Sequence, residues 1–438
     1  MNQRDLTSGN IKGIFFKYLI PSISATLVTS IYILVDTIII GKGIGEQAVA
    51  ALNIVLPLFN VFFGIGLLFG VGGSVLFSVN KGQGNTSEAN HYFSFSFLAT
   101  VITVLIAILG SILYYDPLMS FLGSSEITHP YIKNYAPYII FGAPVFALSS
   151  FLQSFVRNDA DPNRSMIAVI SGGVANIVLD LLFVFVFHMG MAGAAIASVL
   201  GVSLTCILLV THFFSKKNTL RFAFHGNWVR ILSKVVLTGF PSFLIEIAGG
   251  IVILCFNIQL LKYSSVNGIT AYSIISNTAI IVTSLSNGVS QAAQPILATN
   301  YGAGKLDRVH KTFRYALATA AVISGTIFAI GFFLPNVFIY MYINPTDEVL
   351  SLAHTSLRIY SIGFLLASLN TVICNYFQAT LKQYHSLLLS LLRSLILSIS
   401  FVYILPLIFG TNGIWMTVPI VETITLLLAF YLLKRKQA

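Results

Sequence analysis

Charge is what this 438-residue chain has least of: Asp, Glu, Lys and Arg together make up 9% of it. Ordinary soluble domains carry roughly 25%, and a soluble surface needs on the order of a quarter charged residues. A water-exposed globule is therefore excluded. Cysteine is nearly absent as well. Cys206, Cys255 and Cys374 lie singly inside apolar runs, an odd and scattered set that excludes a disulfide framework and suggests no redox role. No GxxxxGK[ST] loop occurs, so the chain encodes no ATP motor. Neither H-E-x-x-H nor G-x-S-x-G occurs, and the eight histidines are scattered, with His91 and His188 at the ends of apolar runs. That speaks against a membrane-embedded enzyme. Disordered, collagen-like and nucleic-acid-binding classes fall away on composition.

What the chain does have is apolar length: residues of the AVILMFWYC set make up 56% of it. Apolar residues facing lipid need no polar shell, so the reading is a polytopic, all-α integral membrane protein. A span needs ~20 mostly apolar residues, and twelve candidates stand between polar and Gly/Pro breaks. The first six are Ile14–Ile40, Val49–Val79, Tyr92–Tyr114, Tyr135–Phe155, Ser165–Phe187 and Ala192–Phe214. The second six are Ile231–Leu261, Ile269–Thr299, Phe313–Tyr340, Leu357–Ala379, Ser386–Phe409 and Ile414–Leu433. With the N-terminus inside, 20 of the 24 Lys and Arg residues fall on inner segments and 4 (Lys42, Lys133, Lys262, Arg358) on outer ones. Such a bias predicts that both termini are cytoplasmic. The net charge of +10 thus belongs to a membrane orientation rather than to a nucleic-acid partner.

The chain also reads as one unit written twice. A shift of 220 residues brings Pro21-Ser22 onto Pro241-Ser242, Asn80 onto Asn300, Gly82 and Gly84 onto Gly302 and Gly304, and Gly190 and Gly193 onto Gly410 and Gly413. From Pro21 to Gly84 there are 12 identities in 64 ungapped positions, several of them at backbone-determining Pro and Gly. Six spans per half, an even number, predict a parallel repeat about an axis along the membrane normal. The expected domains are an N-terminal lobe, residues 1–217, and a C-terminal lobe, residues 218–438, joined near Ser215–Asn227.

Ionisable residues inside spans are costly and therefore functional candidates. Asp36 and Asp180 fall at matched depth in the outer half of the bilayer. Asn176 stands one turn before Asp180 and shares its face, and Ser198 adds a hydroxyl at similar depth. Two carboxylates, an amide oxygen and a hydroxyl are hard ligands for Na⁺. The same carboxylate pair can instead share a proton. Under the 220-residue shift Asp36 meets Phe256, and Asp180 meets Ser400 or Phe401, so an ion site is expected in the first lobe only. Glu246, near mid-bilayer, is a candidate for meeting a cationic substrate. Glu422 reads as structural, and Arg157 and Arg393 are expected to pair with acids or to snorkel. The glycines from Gly64 to Gly73 read as a close-packing stripe.

The loop from Asn80 to Glu88 lacks the Gly-x-x-x-Asp-Arg pattern of the major facilitator fold. The chain instead resembles the multidrug and toxic compound extrusion (MATE) family, in its branch of MepA-like bacterial exporters. The resemblance rests on Ile20-Pro21 to Asp36-Thr37, Ala50-Ala51-Leu52-Asn53, Gly72-Gly73 through Gly82-Gln83-Gly84, and Asn176-x-x-x-Asp180 followed by Gly193-Ala194-Ala195. It implies a V-shaped pair of pseudo-symmetric six-helix bundles in the bacterial cytoplasmic membrane. It also implies export of amphipathic, often cationic compounds in exchange for Na⁺ or H⁺, by a monomer with no cofactor beyond the coupling ion. Asp36, Asn176, Asp180 and Ser198 would occupy the first-lobe cation site, with Asp36 and Asp180 the metal ligands if the ion is Na⁺. Some members place an acid in the tenth span; the matching position here is Asn370, a candidate substrate residue beside Glu246. A flippase for lipid-linked oligosaccharides, of related architecture, is the alternative, but the spans offer almost no mid-membrane Lys or Arg for a pyrophosphate.

Overall fold

The computed structural model describes residues 3–435, and among them there are helices, turns and no strands. Twelve helices are long and apolar enough to cross a membrane. We number them α1 (Ile11–Gly43), α2 (Glu46–Gly82), α3 (Thr86–Leu113), α4 (Ala136–Asn158), α5 (Pro162–Val186), α6 (Gly190–Phe214), α7 (Trp228–Tyr263), α8 (Asn267–Gly302), α9 (Leu306–Phe333), α10 (Asp347–Ala379), α11 (Gln383–Phe409) and α12 (Thr411–Lys434). All twelve predicted spans are present. The ninth differs in extent: the apolar run continues to Tyr340, but the helix stops at Phe333 and a short one restarts over Pro335–Tyr342. Pro335 cannot donate to the preceding turn, and its fixed φ suits the first position of a new helix.

The repeat is legible in the backbone. α3 and α9 coincide residue for residue under the 220-residue shift, Thr86–Leu113 on Leu306–Phe333. Left-handed glycines recur in register: Gly84 (φ 85°) with Gly304 (φ 69°), and Gly190 (φ 58°) with Gly410 (φ 56°). A side chain at such a φ is strained, so these turns are specified identically in both halves. Pro21 and Pro241 both lie inside their helices.

By packing, the chain divides into two compact units, Met1–Ile247 with Ala298–Leu306, and Ala248–Leu297 with Asp307–Ala438. The first part of α7 and the end of α8 thus group with the first unit. In that unit α2 runs against α3 and α4, and α5 against α1 and α6. A Cβ placed on Gly66 would sit 2.1 Å from the Ala147 carbonyl oxygen, so the glycine stripe of α2 does serve backbone contact with α4.

The segment between the repeats is docked. Asn90 and Ser94 of α3 accept hydrogen bonds from the backbone N–H groups of Arg221 (3.0 Å) and Ala223 (2.7 Å). Phe222 packs on Phe93 and Phe97, and Phe224 meets Phe95 edge-on. Its start is clasped by charge. Asp159 accepts from His212 Nε2 (2.9 Å), Lys81 Nζ (3.0 Å) and the Thr219 N–H (2.8 Å), while Asp161 accepts from Lys217 (2.8 Å) and Arg164 (3.1 Å). Burial alone would raise both carboxyls; the donors win, His212 first among them, and hold each below the usual carboxylate range.

Candidate cation site and cavity in the first unit

The first unit encloses a cavity of about 210 Å³ between α1, α2, α4, α5 and α6. Its walls are largely aromatic and aliphatic, with Tyr32, Phe59, Phe63 and Phe146 among them. Its polar side chains include Asp36, Asn60, Tyr135, Gln153, Asn176, Ser198 and Thr205, and among the described residues no Lys or Arg lines it.

Asp36 reaches this space from α1, seven residues before the helix ends at Gly43. Asp180 lies behind it on α5 with 0% exposure, and the two carboxyls face each other within hydrogen-bonding reach. Neither takes part in an ion pair among the described residues. Asp36 Oδ1, both oxygens of Asp180 and Asn176 Oδ1 are buried without a hydrogen-bond donor among the described residues. An unsatisfied buried oxygen costs ~1–3 kcal/mol, more when charged, so four together describe a place prepared to receive positive charge. Asp180 is also the last residue before a π-helical stretch, Leu181–Val186, a local rewinding often found at functional positions.

Close backbone packing brings the neutral ligands in. A Cβ on Gly172 would lie 1.9 Å from Thr205 Oγ1 and 2.6 Å from the Gly201 carbonyl oxygen; one on Gly201 would lie 2.7 Å from Asn176 Cβ. Only glycine at both positions lets α5 and α6 approach this closely, and the approach places Asn176 Nδ2 3.4 Å from Ser198 Oγ. The four residues picked from the sequence, Asp36, Asn176, Asp180 and Ser198, are therefore brought together.

Two residues were missed. Tyr135 stands just before α4 and lines the same cavity as Asp36, Asn176 and Ser198. Tyr32 lies one turn before Asp36, and that spacing was the available signal. For Tyr135 there was none, since its relation to α6 arises only on folding.

Glu246 and Asn370 lie elsewhere. Glu246, half-buried on the part of α7 that belongs to the first unit, faces Gly64 of α2, with 3.8 Å between its Cβ and one placed on that glycine. It does not line the cavity. Asn370, with 0% exposure, lies in the second unit and donates its amide to Glu422 Oε2 (2.7 Å) and the Glu422 carbonyl (2.9 Å). Arg393 pairs with the same glutamate at 2.8 Å, as the expected acid partner.

Known proteins share this twelve-helix plan. The chain is 26% identical over 426 residues to the multidrug export protein MepA of Staphylococcus saprophyticus, covering 95% of this chain and 92% of the relative. It is 25% identical over 424 residues to MepA of Staphylococcus aureus, with the same coverage. Among solved structures, a multidrug resistance MATE family transporter of the MOP superfamily in an outward-facing conformation matches with a TM-score of 0.91 at 21% identity, over 99% of this chain and 97% of the other. A MATE structure in a bent conformation gives a TM-score of 0.90. The MatE family pattern matches residues 21–182 and again 241–404, two stretches displaced by the 220 residues of the internal repeat. With twelve spans in two related halves and that double match, the chain belongs to the MATE family of multidrug exporters, and is a membrane transporter rather than an enzyme.

Proposed function

We propose that the protein exports amphipathic, often cationic compounds by cation-coupled antiport and alternating access, in the bacterial cytoplasmic membrane with both termini cytoplasmic. Asp36, Asp180, Asn176 and Ser198 hold the coupling cation, Na⁺ or H⁺, and Glu246 selects positively charged cargo. The observation that carries the reading is the facing, uncompensated pair Asp36–Asp180 beside a cavity. Two carboxylates this close repel when both are ionised, and a proton or one small cation between them removes the repulsion. Among the described residues no group of three or more acids, His or Cys could hold a metal. Loading and unloading that ion changes which packing of α1 against α5 is favoured. The ion gradient can then bias the conformations between which cargo is moved.

An electrical gradient of 100 mV is worth about 2.3 kcal/mol per charge. One net charge exchanged therefore supports roughly a 50-fold cargo gradient, at tenfold per 1.4 kcal/mol. The protein acts as a monomer in this reading, and every proposed ligand of the site lies in the first unit. The absence of Lys and Arg from the cavity wall speaks against the flippase alternative, whose anionic cargo needs a cationic lining. The test is efflux of a cationic dye from proteoliposomes under separately imposed Na⁺ and proton gradients. Efflux driven by one of them is expected. Efflux under neither, or efflux that persists with both collapsed, would overturn the proposal.

A further inference from the structure

The second unit contains a buried cluster that the transport reading does not use. Arg393, on the π-helical stretch Leu392–Ile396 of α11, points its guanidinium into a set of oxygens. Nε and Nη2 donate to Glu422 Oε1 (3.2 and 2.8 Å), Nη1 to Thr371 Oγ1 (3.0 Å), and Nη2 also to the Ala367 carbonyl (3.3 Å). Glu422 Oε2 takes the Asn370 amide, which leaves Asn370 Oδ1 in the same cluster, buried and without a donor among the described residues. A carboxylate, a hydroxyl, a backbone carbonyl and an amide oxygen form a hard-oxygen set of the kind that binds small cations. Here a protein cation already lies among them.

The repeat gives that placement its meaning. Under the internal shift Glu422 corresponds to Val202, and Arg393 to Gly172 or Gly173, all three of which line the first unit's cavity. The oxygen cluster of the second unit thus stands in the part of the bundle that is cavity wall in the first. We propose that Arg393 is a tethered cation filling an oxygen cage in the second unit, and that the cage binds a small alkali cation such as Na⁺ when the guanidinium is removed. The corollary that the second unit adds no exchangeable ion to the cycle rests on the first-unit coupling reading; the binding claim does not.

The test uses full-length protein purified in detergent and carrying Asp36→Asn and Asp180→Asn, so that the first-unit acids contribute no Na⁺. ²²Na⁺ equilibrium dialysis is compared for this parent, for Arg393→Met added to it, and for Arg393→Met with Glu422→Gln. One additional Na⁺ per chain is expected with Arg393→Met, and its loss with Glu422→Gln. Melting temperature of the Arg393→Met protein should rise with NaCl and stay flat with N-methylglucamine chloride of equal ionic strength, since that cation is too large for the cage. If Arg393→Met folds only in NaCl, the proposal is supported. It is overturned if folded Arg393→Met binds no more Na⁺ than its parent, or if acid stabilises it and Na⁺ does not. It is overturned also if Na⁺ fails to recover an unfolded variant that Glu422→Gln does recover. Because the first-unit acids are absent throughout, failure here leaves the coupling proposal standing, and failure of dye efflux leaves this one standing.

Discussion

The same stretch of fold borders a cavity in the first unit and joins a packed apolar core in the second. Asp36 borders a cavity; its repeat partner Phe256 is fully buried and stacks on Tyr272, with ring centroids 5.2 Å apart and planes 9° from parallel. Leu52 lines the cavity, and its counterpart Tyr272 packs in turn against Trp415. Val55, Phe59 and Ser198 line it too, and their counterparts Ile275, Ala279 and Val418 all join the apolar core of the second unit. A shared backbone plan therefore does not settle whether a bundle's middle is a site or a core. A few side chains do: one aspartate exchanged for phenylalanine, and a tryptophan in the place of Ala195.

The largest effect should come from removing the acids. Asp36→Asn or Asp180→Asn keeps size and hydrogen-bonding capacity but discards the charge, so gradient-driven dye efflux should fall to the leak of empty vesicles with protein yield unchanged. Normal efflux from the double variant would put the coupling elsewhere.

The packed core should be the one that cannot tolerate a hole. Phe256→Ala is expected to cost about 3–5 kcal/mol, transfer and cavity terms together. Phe59→Ala, on a half-buried ring that already borders open space, should cost about 1 kcal/mol. Thermal unfolding of the two variants in one detergent measures the contrast, and equal losses would deny that the two interiors differ.

Gly172→Val tests whether close packing builds the site. It forces α5 from α6 at the point where Thr205 and Gly201 lie against it, at about 1–3 kcal/mol for overpacking. Separation of Asn176 from Ser198 should weaken cation binding more than the loss of stability explains, as read by titration of the purified variant.

The smallest expected effect concerns the clasp. Asp159 has its carboxyl held below the ordinary value near 3.9. Its contribution is therefore fully present above that value and is lost as pH falls through the lower, folded one. Trypsin cleavage at the exposed Lys216 should thus be slow at neutral pH and, in Asp159→Asn, fast. Equal cleavage rates in the two proteins at neutral pH would show that the clasp does not hold the segment.

Much of this was legible in the sequence, for physical reasons that can be named. A bilayer demands long apolar runs, so the spans were plain; their ends were less so, the tenth helix starting at Asp347 rather than Leu357 and the ninth stopping before Pro335. The price of an ionisable group in lipid pointed to Asp36 and Asp180 directly, and helical periodicity added Asn176. Glu422 was read as structural and Arg393 as pairing with an acid or snorkelling, and the two pair with each other. Tyr135, the cavity itself and the stacked Phe256–Tyr272–Trp415 core were not legible. Each depends on which helices become neighbours, and residues 272 and 415 share no local pattern that announces their contact. Asn176 and Ser198 could be placed at one depth from sequence, but their closeness depends on Gly172 and Gly201, whose role appears only once α5 and α6 are packed.

The docking of the inter-repeat segment has a kinematic consequence. Residues 219–224 are laid along α3 and fastened by backbone hydrogen bonds, so very little free tether remains before α7 begins at Trp228. What slack exists includes Gly226, whose φ of 96° is open to glycine and strained for other residues. Any displacement of the start of α7 away from α3 must be taken up by the three residues 225–227, Gly226 among them, or else peel Phe222 and Phe224 off their aromatic bed. A connector that looks by length like a loose leash is mechanically a short one.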